Sequence, residues 1–292
     1  KKYAALVHEQ LPEIPEGNIL QEPCRRNTAP CVAYISWRIK EKDARANIVV
    51  TPSDHIVNNC NEFRRVITSA LKFTGETDSI VTLGMKPTRP ETGYGYIQGD
   101  LSTPSARNRE IFRVDQFKEK PDLATAEKYV KDHNFFWNAG IFIMSAATIV
   151  NAFRVYQPGI AKIFESMRSI YGTEKEQEQI DLRYPECENI SIDYAIMEKA
   201  EEIFVFPADF GWSDLGTWGS LLAQSKKDAN GNATIGNNIQ MIDSKNNIVH
   251  TLNEKKVVIQ GLEGYIIAEE NGTLLICKMS EEQNIKFFSG MN

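Results

Sequence analysis

Long hydrophobic runs are missing from this 292-residue sequence. No apolar stretch approaches the ~20 residues that a helix needs to cross a bilayer, and no secretory signal pattern is visible. The sequence therefore does not predict a membrane protein. With 42% hydrophobic and 25% charged residues, the composition is ordinary for a globular protein. The length allows one large core, or one large core and one small core.

Closely spaced cysteines are also missing. The sequence contains five cysteines, an odd number, and they form no C-x-x-C pair: Cys24, Cys31, Cys60, Cys187 and Cys277. A disulfide framework or a structural zinc site would need paired cysteines at short spacing. We interpret these residues as reduced thiols and expect a cytoplasmic protein.

An excess of positive charge is absent as well. The 33 Lys and Arg residues are outnumbered by 39 Asp and Glu residues, which gives a net charge of −6. Proteins that bind nucleic acids usually carry a basic face, so the charge balance argues against a nucleic-acid partner. It is compatible with a small anionic ligand held in a local basic pocket.

Residues 1–225 alternate short apolar runs with helical patterns, as in an α/β fold. The predicted strands are 47–51, 79–84, 111–118, 139–145 and 202–206. The predicted helices are 2–10, 28–41, 61–73, 122–132, 146–155, 159–168, 192–199 and 215–225. We expect the charged segment 172–188 to be an exposed helix or loop.

The pattern changes in residues 226–292, which follow a turn-rich break. Short β-type runs are separated there by Asn, Gly, Ser and Glu, which predicts a small all-β domain. The predicted strands are 239–242, 247–251, 256–259, 264–268 and 273–277. We therefore predict two domains, 1–225 and 226–292.

Two aspartates far apart in sequence follow apolar, strand-like runs. Asp54 comes after Ile48–Val50, and Asp214 comes after Ile203–Phe206. In an open α/β sheet, ligands bind beyond the carboxyl ends of the strands, and Mg²⁺ is usually held by one or two carboxylates with substrate phosphates. The pair predicts a magnesium site for nucleotide chemistry. The alternative for Asp54 is a turn residue that caps the next helix.

A second candidate site precedes the first long helix, in the segment Glu22-Pro-Cys-Arg-Arg-Asn-Thr-Ala-Pro. Thr28 is a good N-cap residue, and a helix N-terminus next to the two arginines, Arg25 and Arg26, is suited to an anion. Glu22 could accept hydrogen bonds from the N1–H and N2–H₂ edge of a guanine. The alternative is a capped helix with solvated arginines.

Further candidate residues are suited to a sugar phosphate. Gly93 and Gly95, on either side of Tyr94, let the backbone approach a ligand closely, although a simple hairpin turn would have the same pattern. Glu119 and Lys120 at the end of a predicted strand suit hydroxyls and phosphate oxygens, respectively. A surface ion pair before a helix is the alternative.

One more segment, Phe-Trp-Asn-Ala-Gly-Ile-Phe at 136–142, offers a polar group among apolar residues. Asn138 carries both a donor and an acceptor for a pair of hydroxyls. Gly140 permits a close approach of the ligand to the backbone. Trp137 is interpreted as part of the wall or core.

Together these segments resemble the mannose-1-phosphate guanylyltransferases of the sugar nucleotidyltransferase superfamily. The motifs that carry the resemblance are EPCRRNTAP, VVTPSDH, TGYGYI, FKEKP, FWNAGIF, SIDYAIMEKA and DFGWSDLGTW. The resemblance runs over nearly the whole chain. The resemblance implies an α/β fold of the Rossmann-like, GT-A-like nucleotidyltransferase type, with a mixed sheet and flanking helices. A small C-terminal all-β domain would follow.

The resemblance also implies a reaction. GTP and α-D-mannose 1-phosphate would give GDP-mannose and pyrophosphate, with Mg²⁺ as the cofactor and a homodimer through the β domain as the assembly. By analogy, Asp54 and Asp214 would hold Mg²⁺, and Lys120 would bind the sugar phosphate. The other implied ligand contacts are Glu119, Asn138, Gly140 and the turn Gly93–Tyr94–Gly95 for mannose, with Glu22, Arg26 and Asn27 at the guanine end.

One feature of the family has no counterpart in this sequence. The family's Gly-rich signature, G-G-x-G-x-R-x-W-P followed by P-K-Q, cradles the triphosphate, and nothing like it occurs between Lys1 and Asn292. We expect the segment that carries this loop to precede Lys1.

Three alternatives to this function remain. A nucleotidyltransferase for another base or sugar would share the GYG and EKP segments and both aspartates. A non-catalytic homologue would bind GDP-mannose without turnover. A GT-A glycosyltransferase would be expected to carry an Asp-x-Asp pair, and none is placed at a predicted strand end.

Overall fold

The computed structural model describes residues 1–251 and 255–288. By its contacts the chain forms two compact units, each described by itself below. Unit 1 comprises Lys1–Pro52 and Asn59–Phe210, and unit 2 comprises Ser53–Asn58 and Gly211–Asn292. This division differs from the predicted domain boundary after residue 225, because the segment from Gly211 and the short excursion from Ser53 to Asn58 belong to unit 2.

The strands and helices alternate in unit 1, whereas strands predominate in unit 2. The strands are β1 (Asn47–Val50), β2 (Ile56–Val57), β3 (Ile80–Met85), β4 (Tyr96–Pro104), β5 (Phe112–Lys118), β6 (Phe135–Ser145), β7 (Ile203–Ala208), β8 (Trp212–Ser213), β9 (Ala233–Ile235), β10 (Ile239–Ile242), β11 (Ile248–His250), β12 (Val257–Gln260), β13 (Tyr265–Glu270) and β14 (Thr273–Lys278).

The helices are α1 (Ala4–Gln10), α2 (Thr28–Lys42), α3 (Cys60–Gly75), α4 (Leu123–Lys131), α5 (Ala146–Tyr156), α6 (Pro158–Glu165), α7 (Glu176–Arg183), α8 (Trp218–Gln224) and α9 (Ile285–Phe288). Short 3₁₀ segments occur at Glu16–Asn18, Tyr184–Glu186 and Met279–Asn284, and a π-helical segment occurs at Asp193–Met197. Within the described ranges, no helix combines the length and apolarity needed to cross a membrane.

A six-stranded mixed sheet forms the centre of unit 1, in the order β1-β6-β3-β7-β5-β4. Strands β3 and β7 are parallel, and the other pairings are antiparallel; β6 also pairs with β4. All six residues of β3 are buried, which explains its continuous apolar run. The mixed sheet with flanking helices confirms the predicted fold class.

A glycine allows the centre of this sheet to pack closely. A Cβ at Gly84 would lie 2.6 Å from Val205 Cγ2 and 2.8 Å from Phe136 Cβ. Real Cβ atoms do not approach other atoms so closely, so only glycine fits there. The β3–β6 register shifts between Thr82 and Gly84, as at a β-bulge, and this irregularity directly precedes the pairing of Gly84 with Asn138.

The main core of unit 1 lies between the sheet and helices α2, α5 and α6. Trp37 of α2 is buried and contacts the rings of Phe153 and Phe164, at centroid distances of 5.9 and 6.0 Å. Ile180 and Tyr184, in the segment predicted to be exposed, are also completely buried. That prediction was wrong because this charged segment also carries Ile180 and Tyr184, one helical turn apart, and both side chains pack into the core.

Several element boundaries differ from the predicted ones for local reasons. Helix α8 begins at Trp218, three residues after the start of the predicted helix 215–225, because Thr217 and Ser220 form a capping box. Strand β4 was not predicted as a strand, since its first residues were interpreted as part of a glycine-rich turn. The π-helical segment Asp193–Met197 replaces most of a predicted α-helix.

The short strands predicted for unit 2 are present, and most of them pair in parallel. Within its described residues, β11 pairs in parallel with β9 and β13, β10 pairs in parallel with β12, and β14 adds to β13 in the antiparallel direction. The strand at Ala233–Ile235 was not predicted, because it is only three residues long.

Buried asparagines stabilise the turns between the parallel strands of unit 2. The backbone N–H and the Nδ2 of Asn247 both donate to Asn232 Oδ1, at 3.1 and 2.9 Å. Asn247 Nδ2 also donates to the Leu262 carbonyl, and the Tyr265 N–H donates to Asn247 Oδ1. One buried side chain thereby connects three successive turns, whose polar groups would otherwise be unsatisfied.

We predict that Asn247→Ala lowers the free energy of unfolding of unit 2 by roughly 1–3 kcal/mol, because it leaves buried polar groups unpaired. Denaturant unfolding monitored by circular dichroism would measure the change. Thr234→Ala, at an exposed position of β9, is the control and should have little effect. Equal stability of both variants would contradict the role of the asparagine.

Candidate functional site

The predicted site residues belong to both units. Asp54 and Asp214 lie in unit 2. The remaining ones, which lie in unit 1, are Glu22, Arg26, Asn27, Gly93, Tyr94, Gly95, Glu119, Lys120, Asn138 and Gly140. The arrangement is therefore described first for unit 1 and then for unit 2.

The structure brings Gly95, Glu119 and Asn138 together in unit 1. The Asn138 N–H donates to the Gly95 carbonyl at 2.8 Å. A Cβ at Gly95 would lie against Glu119 Oε2, so the Gly95 backbone and the Glu119 carboxylate are close neighbours. The segments predicted from separate motifs thus meet at one place, next to the first residues of β4.

Asp193 joins this cluster, although it was not predicted as a site residue. Asn138 Nδ2 donates to Asp193 Oδ1 at 2.9 Å, and the Gly140 N–H donates to Asn138 Oδ1 at 3.0 Å. These two bonds determine which end of the amide faces Asp193. The backbone at Gly140 has a positive φ of 66°, which glycine adopts without strain.

The sequence concealed Asp193 for a physical reason. The motif SIDYAIMEKA was noticed, but an aspartate near the start of a predicted helix is explained by the helix dipole alone. In the structure the segment Asp193–Met197 is π-helical, and π-helical turns occur frequently at functional sites. The sequence signal for Asp193 is its place in SIDYAIMEKA, a motif of the family resemblance for which no site role is predicted.

Burial perturbs both carboxylates of the cluster. Burial raises the pKa of Asp193, against the hydrogen bond from Asn138 and the positive charge of Lys120. The pKa of Glu119 is also raised, first by burial and then by the negative charge of Asp193, while Lys120 opposes the shift. Perturbed carboxylates in one cluster are typical of functional sites.

Lys120 provides the cation of this cluster. Its Nζ lies 3.3 Å from Glu119 Oε1, and its side chain is mostly exposed. The backbone of Lys120 has a φ of 47°, which is uncommon for a residue other than Gly, Asn or Asp. Such strain is often found at ligand sites. The cluster therefore presents acceptors for hydroxyls beside an ammonium group that can bind a phosphate.

Glu22 lies among groups of the protein itself. Tyr184 Oη donates to Glu22 Oε1. The Cys31 thiol lies beside Glu22, whose negative charge and hydrogen bond contribute to a raised pKa of the thiol. These contacts orient the Glu22 carboxylate from two sides.

Arg26 and Asn27 lie at the start of α2. Arg26 Nη2 donates to the Pro185 carbonyl. Asn27, rather than the predicted Thr28, is the N-cap residue, and its Oδ1 accepts from the Thr28 N–H at 3.0 Å. The Thr28 hydroxyl instead accepts a hydrogen bond from the Ile192 N–H. The capped-helix interpretation thus describes part of what these residues do.

The two aspartates of unit 2 lie next to the β2–β8 pairing. Ile56 pairs with Ser213 in the antiparallel direction, and extending this register by one residue places His55 opposite Asp214. As the sequence suggests, Asp54 follows β1 and Asp214 follows β7, two strands of the large sheet. The short β2–β8 pairing then joins the two segments that carry them.

His55 lies between these carboxylates. Its pKa is lowered by burial, which outweighs the opposing negative charges of Asp54 and Asp214. Trp212 Nε1 donates to His55 Nδ1 at 3.1 Å, so the proton of the neutral ring lies on Nε2, 3.9 Å from Asp54 Oδ1. His55 is thus a neutral ring near Asp54, too far from it for a hydrogen bond.

The aspartates fit one kind of metal site better than another. Among the described residues, no group of three or more His, Cys, Asp or Glu side chains could hold a metal ion. A closed protein cage is therefore not formed there. Two carboxylates that complete their coordination with substrate phosphates match the usual binding of Mg²⁺. The Asp54 side chain is 86% exposed and open to such a ligand.

Comparison with known proteins shows the family of this chain. The profile of the nucleotidyl transferase family matches residues 1–231. The chain belongs to this family. This chain spans about three fifths of the length of the curated relatives that it matches.

The mannose-1-phosphate guanylyltransferase of Escherichia coli is 34% identical over 286 residues, which cover 96% of this chain and 61% of that protein. The xanthan biosynthesis protein XanB of Xanthomonas campestris pv. campestris is 33% identical over 289 residues, covering 98% and 60%. A Thermus thermophilus structure described as a mannose-1-phosphate geranyltransferase has a TM-score of 0.82 at 27% identity, covering 99% of this nucleotidyltransferase chain and 81% of that one.

We predict that Asp193→Asn raises the melting temperature at neutral pH by an amount on the order of 2–4 °C. The native state binds the Asp193 proton more tightly than the unfolded chain does, so ionisation of Asp193 costs stability as the pH rises. Asparagine removes this cost. Calorimetric melting temperatures between pH 4 and pH 8 would measure the effect.

The gain should shrink below about pH 4, where an unfolded aspartate is also protonated. Asp115→Asn, at an exposed position of β5, is the control and should leave the pH profile nearly unchanged. A lower melting temperature of Asp193→Asn at neutral pH would show that the carboxylate is stabilising, contrary to this prediction.

Proposed function

We propose that this chain catalyses the transfer of GMP from GTP to α-D-mannose 1-phosphate, which gives GDP-mannose and pyrophosphate. The observation that carries the proposal is the meeting of Glu119, Lys120, Asn138 and Gly95 in one cluster, in a chain whose curated relatives include mannose-1-phosphate guanylyltransferases. The cluster combines hydroxyl acceptors with a phosphate-binding cation, which is what a sugar 1-phosphate needs.

In the proposed reaction, a phosphate oxygen of mannose 1-phosphate attacks the α-phosphorus of GTP. A new P–O bond forms there, and the bond to the β-phosphate oxygen breaks as pyrophosphate leaves in line. The attacking oxygen is already ionised near neutral pH, so no general base is required. Catalysis then consists mainly of positioning and of neutralising the charge of two anions.

The residues of unit 1 would act on the sugar phosphate and on the base. Lys120 would bind the sugar phosphate, while Glu119, Asn138 and the backbone of the Gly93–Gly95 turn would bind hydroxyls. The Asn138 amide is already oriented by Asp193 and Gly140, so its orientation would not have to be established on binding. At the other end, Glu22, Arg26 and Asn27 would face the guanine.

Asp54 and Asp214 would hold Mg²⁺. When bound, the ion supplies positive charge that stabilises the phosphates during the transfer. His55 has no proton-transfer role in this proposal, because it is held neutral and its Nδ1 accepts from Trp212.

A homodimer in the cytoplasm is part of the proposal. Strand β14 is at the edge of the four-stranded sheet of unit 2, in the order β14-β13-β11-β9. Its Leu274 and Ile276 are more than half exposed, and an exposed apolar edge strand is a common site of strand pairing between chains. These features support association through unit 2, as the family resemblance implies.

The test is pyrophosphate release by the full-length protein with Mg²⁺, mannose 1-phosphate and one of GTP, ATP, UTP or dTTP. Release with GTP alone would support both the reaction and the base. Release with another nucleotide would retain the mechanism but change the substrate. No release, together with calorimetric binding of GDP-mannose, would favour a non-catalytic homologue.

We predict that Asp214→Asn lowers kcat by roughly 100-fold or more, because even residues that only support metal ligands are worth 10- to 100-fold. Pyrophosphate release at saturating substrate would measure it, with circular dichroism to verify the fold. Asp243→Asn is the control, since this exposed turn residue of unit 2 has a φ of 46°, which asparagine adopts well. A nearly wild-type kcat of Asp214→Asn would contradict the metal assignment.

We predict that Lys120→Met raises KM for mannose 1-phosphate by about 10-fold or more, since a charged hydrogen bond contributes roughly 1.5–3 kcal/mol. KM for GTP should change much less. Methionine lacks the charge of lysine. Because both side chains are unbranched at Cβ, the substitution should not change the strain of the Lys120 backbone. Lys118→Met, at an exposed position of β5, is the control. Equal effects on both KM values would argue against a sugar-phosphate role.

A further inference from the structure

A buried carboxylate lies in the loop that precedes the Gly93–Gly95 turn. Glu91 is only 4% exposed, and a buried charge is costly unless it is paired and hydrogen-bonded. Its Oε1 accepts from the Gly93 N–H at 3.2 Å, and its Oε2 accepts from Arg89 Nε at 3.2 Å. The carboxylate therefore links the turn to a guanidinium two residues upstream.

The backbone of Glu91 is held as well. Its N–H donates to Tyr96 Oη at 3.0 Å, and Tyr96 is completely buried at the start of β4. The main chain of Glu91 is thus held by Tyr96 of the strand that follows the turn, and its side chain is held by Gly93 of the turn itself.

The guanidinium of Arg89 extends this network to strand β6. Its Cζ lies 5.2 Å from the centroid of the Trp137 ring and 6.0 Å from that of the Tyr94 ring. The two rings contact each other edge to face, at a centroid distance of 5.2 Å. Arg89 Nη2 lies 3.1 Å from the Glu91 carboxylate without a hydrogen-bonding alignment, so this second contact is electrostatic.

We propose that the Arg89–Glu91 pair is a positioning device, which holds the Gly93–Tyr94–Gly95 turn against β6 and so sets the affinity for the sugar phosphate. This inference rests on the proposed function. Nothing in the family resemblance assigned a role to either residue. The pair acts through the turn and through Trp137, which directly precedes Asn138, and Arg89 and Glu91 need not touch the substrate.

A role in positioning explains why the pair is present. Replacing a buried ion pair by apolar residues is often neutral or stabilising, so burial of Glu91 is weak evidence for a role in stability. A role in positioning is different, because the Gly95 carbonyl accepts from the Asn138 N–H, so the turn is bonded directly to a proposed sugar-binding residue. A small displacement of the turn would disturb the sugar-binding groups together.

The experiment compares Glu91→Gln and Glu91→Ala in the full-length protein. Glutamine keeps an acceptor for the Gly93 N–H but loses the charge that orients Arg89, whereas alanine loses both. We expect KM for mannose 1-phosphate to rise by about 10-fold in Glu91→Gln and further in Glu91→Ala, since a misplacement of 1 Å can cost about 100-fold. KM for GTP should change less than about twofold.

A matched control is available in the same unit. Glu176 is also buried and also pairs with an arginine, Arg38, at 2.9 Å. It accepts from a glycine N–H as well, that of Gly172 at 2.6 Å, and from Tyr34 Oη. Glu176→Gln therefore removes the same kind of charge, and it should lower the melting temperature while leaving KM for mannose 1-phosphate unchanged.

A second measurement does not depend on activity. Amide hydrogen exchange of a peptide that covers residues 86–97 reports the order of the turn, and exchange should be faster in Glu91→Ala than in the wild type. Arg89→Lys keeps the charge but loses the planar stacking on Trp137, so its KM for mannose 1-phosphate should lie between those of the wild type and Glu91→Ala.

The possible failures are distinguishable. If the wild type turns over and both Glu91 variants keep its KM for mannose 1-phosphate, the positioning role is overturned while the proposed function stands. If Glu91 and Glu176 variants raise this KM equally, the effect is one of general stability, and the inference is also overturned. If the wild type shows neither turnover nor calorimetric binding of mannose 1-phosphate, the proposed function fails, and the sugar-binding role of the pair fails with it.

Discussion

Strand β6 is the constraint on which the arrangement of unit 1 depends. It pairs with β1 over its last four residues, with β3 at Trp137–Asn138 and again at Phe142–Ile143, and with β4 over Phe135–Trp137. Trp137, Asn138 and Gly140 all lie on this strand. Its register therefore places the Trp137 ring against Arg89, and the Asn138 amide between Asp193 and the Gly140 backbone. A slip of one residue would reverse the face of each side chain.

Unit 1 uses its buried carboxylates in two different ways. Glu91 and Glu176 are each paired with an arginine and a glycine N–H, which satisfies the charge within the fold. Asp193 and Glu119 have raised pKa values because burial dominates their surroundings. A site that keeps such groups does so at the expense of stability, which is the usual relation between stability and function at active sites.

The family could be predicted from the resemblance of the motifs. The fold class and most of the elements could be predicted because apolar runs and helical periodicity follow from which residues face a core. The buried strand β3 is an example, as are the short runs of unit 2. The exposed placement of residues 172–188 was wrong, since charge pattern alone does not reveal that Ile180 and Tyr184 are buried. Strand β4 was missed because its glycine-rich start was interpreted as a turn.

The candidate site was predictable in its residue types but not in its connections. The motifs identified Glu119, Lys120 and Asn138 as groups suited to a sugar phosphate, because their chemistry is local to each side chain. Only the tertiary structure placed Asp193 at Asn138, Glu91 under the turn and Asp54 beside the strand that precedes Asp214. Those contacts join residues far apart in the chain, and hydrogen bonds between them depend on sheet register and burial, which no short stretch of sequence encodes.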